Sequence, residues 1–267
     1  MSIGDAEIKT QERVIRFFKD PEILGYQYIG NLSDYQNKNI NEDRLRQYLR
    51  LKGYADKLID AAVMQLQQEA GNLSRGVYDA NKTVYSRLKY GIPVSESPEK
   101  PPVTVELIDE ANPLNNDFAV AEEVTVVEQQ EKRPDLVIYL NGIAVAVIEL
   151  KRSSISVSEG IRQNLTNQKD SFIRGFFTTM QFCMAGNESE GLRYGTLLTG
   201  EKFYMEWKDD GFKEHEEERD PVDVRISKTC EGIDNKLLKQ IYAMFDKERF
   251  IDLIMNFVVF DKGIKKV

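Results

Sequence analysis

The sequence predicts a mixed α/β fold, a core sheet flanked by helices with a helical insertion, and three observations carry it. Helical spacing dominates the first 92 residues, and ESPEKPP at 96–102, with three prolines, breaks it. Beyond the break come four apolar runs rich in β-branched residues, and helical spacing then returns. Strands and helices that alternate along a chain in this way share one core.

The elements follow in order. TQERVIRFFKD at 10–20 is an amphipathic first helix that stops before Pro21. NEDRLRQYLRLKGY, DKLIDAAVMQLQQEA and ANKTVYSRLKYG make residues 31–92 a helical stretch. VTVELID, DFAVAEEVTVV, LVIYL and IAVAVIEL are expected to be successive strands, separated by Asn, Gly and Pro. Helices are expected at 158–171 and 172–184, followed by strand-like YGTLLTG and KFYMEWKD. The acidic run DDGFKEHEEERD at 209–220 reads as a solvated loop, and NKLLKQIYAMFDKERFIDLIMNFVVFDKGIKKV as two helices, the second ending near Phe257. The expected division is one domain over 1–260, with 31–92 inserted in it, and the start of a linker at 261–267.

A chain of 267 residues buries roughly 70% of its unfolded surface without staples. Its two cysteines, Cys183 and Cys230, imply no disulfide scaffold and fit a reducing cytosol. The start, MSIGDAEIKTQERV, lacks the apolar core of a signal peptide, and no run approaches the roughly 20 apolar residues that span a bilayer. A cytoplasmic protein without membrane contact is the expectation. The net charge of −8 argues against coating nucleic acid over the whole surface, while a local basic groove stays compatible with it.

Several chemistries drop out. The single histidine, His215, lies inside the acidic run, so neither a Ser-His-Asp triad nor a histidine-rich zinc site can be assembled. Neither GxxxxGK[ST] nor GxGxxG is present, which removes the usual phosphate-loop and dinucleotide fingerprints. Carboxylates and lysines remain.

Glu-x-Lys should arise about once by chance in such a chain. It occurs three times, as Glu7-Ile8-Lys9, Glu149-Leu150-Lys151 and Glu206-Trp207-Lys208. Only the second ends an apolar strand and follows, one hairpin back, the only Pro-Asp in the chain, Pro134-Asp135. Alternate strand residues share a face, so Glu149 and Lys151 project together. With Asp135 and the Leu150 carbonyl they form an oxygen-rich set suited to Mg²⁺, and the lysine suits a water or a phosphate charge. The competing reading makes these residues the solvated ends of an ordinary core hairpin.

Register tests the two readings. A strict two-residue turn at Asn141-Gly142 would pair Asp135 with Ile148 and put it on the face opposite Glu149. A three-residue loop with Gly142 in a bulge would pair Asp135 with Val147 and return the two acids to one face. The metal-site reading therefore requires an odd loop or a bulge, and it expects Asn141-Gly142 not to make the simplest turn.

RPDLVIYLNGIAVAVIELK, together with EGIRQNLTNQKDSFIRGFFTTMQFCMAGNESEGLRYGT, resembles the N-terminal nuclease region of the restriction (R) subunit of Type I restriction-modification enzymes, of the PD-(D/E)xK superfamily. The likeness extends to NDF at 116–118 and to YGTLLTG. It implies a restriction-endonuclease-like core in which Asp135 and Glu149 hold metal and Lys151 is the catalytic lysine. The family's Gln-xxx-Tyr element falls on Gln163, but Asn167 stands where tyrosine is expected, and Gln168 competes for the role. Glu12 on the first helix is a further candidate metal ligand, and Arg133, Lys169 and Arg174 are candidate phosphate contacts.

The resemblance implies a Mg²⁺-dependent endonuclease domain acting on double-stranded DNA at positions it does not select. ATP would act only through motor domains whose motifs are absent here, so the chain is expected to be part of a longer subunit. Methylation and specificity subunits would be partners of that longer subunit. The rival expectations are a stand-alone PD-(D/E)xK repair or junction nuclease, and a non-catalytic module that docks DNA or subunits.

Overall fold

The two central strands show no alternation of buried and exposed residues, because both their faces are covered. In the computed structural model, which describes residues 3–97, 99–208 and 220–267, every residue of Leu136–Leu140 and Ile143–Leu150 is buried. Such strands read as continuous apolar runs. They lie in the middle of a six-stranded mixed sheet flanked by helices.

The sheet comprises β1 (Gln27–Asn31), β2 (Phe118–Glu122), β3 (Leu136–Leu140), β4 (Ile143–Leu150), β5 (Phe182–Asn187) and β6 (Gly191–Gly195), in that spatial order. β1 is parallel to β2 and β4 to β5, while the other three pairings are antiparallel. Parallel neighbours need long crossovers. The β1–β2 crossover carries α2 (Glu42–Leu51), α3 (Asp56–Gly71) and α4 (Val77–Tyr90), so most of the expected 31–92 insertion is this connection. The β4–β5 crossover carries α5 (Val157–Asn167). α1 (Ile3–Lys19) precedes the sheet, and α6 (Pro221–Glu231), α7 (Lys236–Phe245) and α8 (Lys247–Asp252) follow it.

One large core holds one face of β3 and β4 (Leu136, Ile138, Ile143, Ile148) against α1, α3, α7 and α8 through Phe18, Ile59, Phe245 and Phe250. A second holds Val137, Tyr139 and Val147 of the other face against Phe176 and Phe177.

Several elements differ from expectation. YQYIGN, passed over as a connection, supplies β1. VTVELID leaves the main sheet: only Val103–Val105 is extended, paired with Ile92–Val94, where Pro93 is tolerated because the pair has only edges. The expected helix 172–184 is a 3₁₀ turn, Arg174–Thr179, followed by β5. Its run FFTTMQFCMA is buried all round, a pattern that does not separate helix from strand. KFYMEWKD makes a 3₁₀ turn and one bridge, Tyr194 to Met205. The second C-terminal helix ends at Phe257 as expected, through a π-helical turn Leu253–Phe257. Residues 261–267 fall largely within a hairpin, Val259–Asp261 with Ile264–Lys266, in which the Lys265 ammonium is buried against Asn81 Oδ1 (2.9 Å) and Gln181 Oε1 (2.6 Å). Residues 209–219, with His215 and nearly all of the acidic run, lie outside the described residues.

The β3–β4 hairpin corrects the register expectation. Asn141 (φ 52°) and Gly142 (φ 80°) do form a two-residue turn, with Leu140 opposite Ile143. The left-handed pair is what such a turn requires. Asn141 is fixed there by its buried side chain, which accepts from Asp117 N (2.7 Å) and donates to Leu107 O and Asn116 Oδ1 (both 2.8 Å). The compensation comes three residues later. Tyr139 pairs with Ala144 but Ile138 with Ala146, so Val145 is an extra, bulged residue. Val145 and Ala146 both reach the larger core, and alternation beyond them is inverted. Extending the pairing of Leu136 with Ile148 by one step sets Asp135 opposite Glu149.

Gly142 also abuts α2: a Cβ there would stand 2.6 Å from Asn41 O and from Leu45 N. Gly142→Ala therefore combines a left-handed backbone with a backbone clash, and the expected loss of stability is at least about 2 kcal/mol. Urea unfolding of the variant measures it, and a loss well below that would show the turn to be unconstrained.

Candidate active site

Asp135, Glu149 and Lys151 meet at the end of the β3–β4 hairpin. Asp135 Oδ2 accepts from Leu150 N at 2.7 Å, which ties the start of β3 to the end of β4. Glu149 is fully buried, and the neighbouring Asp135 carboxyl acts on it electrostatically. Glu149 Oε2 accepts from Gln163 Nε2 at 2.6 Å, whereas Oε1 is buried with no partner. Lys151 Nζ donates to Leu150 O at 3.1 Å and to Glu7 Oε1 at 3.2 Å.

Gln163 reaches Glu149 because α5 lies close on the sheet. A Cβ at Gly160 would sit 2.9 Å from Ala185 Cβ and 3.4 Å from Glu149 Cβ, so glycine permits the approach. Gln168 goes elsewhere: it donates to Asn164 O (3.2 Å) and accepts from Leu198 N (2.7 Å), a buried structural position. Asn167, at the place expected for tyrosine, is buried on α5 and borders the cleft described below.

Two residues were missed in the sequence. Glu12 is exposed on α1, and the acid that reaches the site from this helix is Glu7. Glu7 shares the 7-11-14-18 stripe with Gln11, Val14 and Phe18, all three buried, and that spacing identifies the inward face where Glu12 does not lie. Tyr204 is the second. Its buried hydroxyl has no partner, and burial holds its proton more tightly than usual, with smaller contributions from Cys183 and then Glu149. No sequence signal marks it, since it follows β6 in a short turn.

The electrostatics follow from burial. Loss of solvation pushes the Asp135 carboxyl up to about 6, with Glu123 and Glu7 adding to the effect, and with Lys151 and the Leu150 N–H opposing it. Glu149 is held well above the usual carboxylate range by burial and by Asp135. Burial pulls Lys151 down, but Asp135, Glu149 and Glu7 outweigh it, so the ammonium is more firmly protonated than usual.

Among the described residues no group of three His, Cys, Asp or Glu is arranged to hold a metal. What this site offers is two neighbouring carboxyls, one with an orphaned oxygen, and a backbone carbonyl at Leu150. That all-oxygen set fits a hard divalent cation such as Mg²⁺ and no soft one.

Beside Lys151 opens a cleft of about 460 Å³, lined by Lys132, Arg133, Glu159, Arg162, Gln163, Thr166 and Asn167. Of the three candidate phosphate contacts, Arg133 is on this wall. Lys169 and Arg174 are not, and Arg174 pairs with Asp170.

Residues 7–203 match the family described as Type I restriction enzyme R protein N terminus. The chain belongs to that family, as the N-terminal domain of an R subunit. A curated relative from Methanocaldococcus jannaschii, described as a putative type I restriction enzyme MjaIXP endonuclease subunit, is 27% identical over 202 residues. The match covers 68% of this chain and 18% of the relative, so the chain spans under a fifth of that protein.

The acid pair has a consequence for stability. The folded chain holds the Asp135 proton up to about pH 6, whereas an unfolded aspartate releases it near pH 4. The folded state thus binds more protons across that window, and stability falls as pH rises through it. Asp135→Asn removes the buried charge, so the variant should be about 1–3 kcal/mol more stable than the parent at pH 7.5 and equal to it at pH 4. Urea unfolding at both pH values checks this, and the same difference at both would disprove it.

Proposed function

We propose that this chain is a Mg²⁺-dependent endonuclease domain that hydrolyses phosphodiester bonds of double-stranded DNA by PD-(D/E)xK chemistry. The observation that carries it is the bulged hairpin, which brings Asp135, Glu149 and Lys151 together against a basic cleft. Membership of the R-protein family supports it.

Asp135, Glu149 and the Leu150 carbonyl would hold the ion. When bound it would supply Lewis-acid polarisation of the phosphoryl oxygen. Lys151, firmly protonated, orients the attacking water by hydrogen bond and offsets the charge that grows on the phosphate oxygens. Gln163 fixes Glu149 Oε2 and leaves Oε1 without a protein partner, so Oε1 is the oxygen that would be free to hold the ion. Glu7 steadies Lys151.

In this reading the cut position is chosen outside these residues. ATP-driven movement along DNA, and assembly with methylation and specificity subunits, belong to a longer subunit, for which the curated relative gives the scale.

Lys151→Ala and Asp135→Ala should each lower plasmid cleavage by the full-length subunit in its complex at least about 100-fold. Unchanged cutting by either variant would remove the assignment. Gln163→Ala, which acts on a ligand rather than on the substrate, should cost about 10–100-fold and raise the Mg²⁺ concentration needed for half-maximal rate. A loss of rate with no change in that Mg²⁺ requirement would argue against its positioning role.

A further inference from the structure

The cleft beside Lys151 has a chemistry of its own. Arg133 is half exposed and meets Glu123 at 2.6 Å. Arg162 is equally exposed and meets Glu159 at 2.8 Å and Glu201 at 2.9 Å. Lys132 lies over the Phe172 ring, 4.9 Å from its centre. Exposed ion pairs of this kind are worth about 0–1 kcal/mol, so an incoming anion displaces their carboxylates at little cost. Guanidinium forks match phosphate oxygens in two-point contacts. Thr166 and Asn167 add neutral polar groups to the same walls, the usual company of a sugar-phosphate chain.

Resting on the nuclease reading above, we propose that this cleft seats the sugar-phosphate backbone of the strand being cut. Lys132, Arg133 and Arg162 take the phosphates that flank the scissile one. Lys151 lines the same cleft, so backbone contacts made there would set which phosphate reaches Asp135 and Glu149. The ion pairs with Glu123, Glu159 and Glu201 keep the arginines extended and ordered while no DNA is bound.

The test is binding of a labelled duplex to the chain in EDTA, followed by anisotropy across a salt series. The Lys132→Ala/Arg133→Ala/Arg162→Ala variant should bind about tenfold or more weakly at low salt, and its salt slope should fall by about one for each residue removed. Lys132→Arg/Arg133→Lys/Arg162→Lys keeps the charges and should retain most of the affinity, which separates lost charge from lost fold. Wild-type affinity and slope in the alanine variant would overturn the proposal, as would absence of duplex binding by the parent at low salt. Full competition by millimolar inorganic phosphate would also overturn it, since the cleft would then be a simple anion site.

Cleavage by Asp135→Ala, measured separately with Mg²⁺, reads the nuclease assignment. An alanine variant that fails to bind, beside an Asp135→Ala that still cuts, keeps the cleft and sinks the assignment. The reverse pair of results keeps the assignment and sinks the cleft.

Discussion

Side chains alternate along a strand with a period of two, and that parity is the constraint on which this site depends. The turn at Asn141-Gly142 alone would set Asp135 opposite Ile148, with its carboxyl on the face away from Glu149. Val145, inserted as a bulge, cancels the parity and sets the two acids side by side. The turn has little freedom to compensate in another way, because the buried Asn141 side chain is held by three hydrogen bonds and Gly142 is packed against the start of α2. The helices of the β1–β2 crossover thus contribute to the site from a distance. They fix the closed end of the hairpin, and the bulge delivers the open end.

Burial on both faces gives the hairpin rigidity and also makes its charged end costly. A fully buried carboxyl beside a second one is unfavourable unless a proton or a cation lies between them. The surrounding sheet offsets that cost: Leu136, Val137, Ile138, Val147 and Ile148 are fully buried and hold the strands in register up to the last residue before the site. Stability is therefore spread through the middle of the hairpin, and the cost of buried charge is confined to the acids at its open end. Gln163 relieves one oxygen of Glu149 and leaves the other unpaired, an arrangement with no structural benefit for the fold alone.

The mixed α/β class, the two central strands and the association of Asp135 with Glu149 and Lys151 were legible because each rests on a short-range pattern. Leu136–Leu140 and Ile143–Leu150 were bounded correctly by Pro, Asn and Gly. β5 was not legible, since the run from Phe176 to Ala185, buried throughout with Thr178, Thr179 and Gln181 included, offers no clear period. β1 was missed because its burial is partial and its parallel partner lies about 90 residues away, beyond the reach of local signals. Glu12, named as a candidate ligand, lies on the exposed side of α1, off the 7-11-14-18 stripe of Gln11, Val14 and Phe18 that turns Glu7 inward. The bulge could be required from the chemistry but not located, because Val145 and its neighbours are all small or β-branched and fit either register.

Charge balance links these features. Asp135, Glu149 and Glu7 converge on a single ammonium, that of Lys151, so with all the acids ionised two negative charges stand uncompensated. The raised proton affinity of Asp135 and Glu149 shows how the chain alone meets that excess, by keeping protons that ordinary carboxyls release. A divalent cation carries the same charge as those protons, and Glu149 Oε1 is the buried oxygen of this group that no protein atom satisfies. Lys151 donates to the Leu150 carbonyl as well as to Glu7, so its ammonium is held between the acids and the end of β4, where it offsets part of their charge.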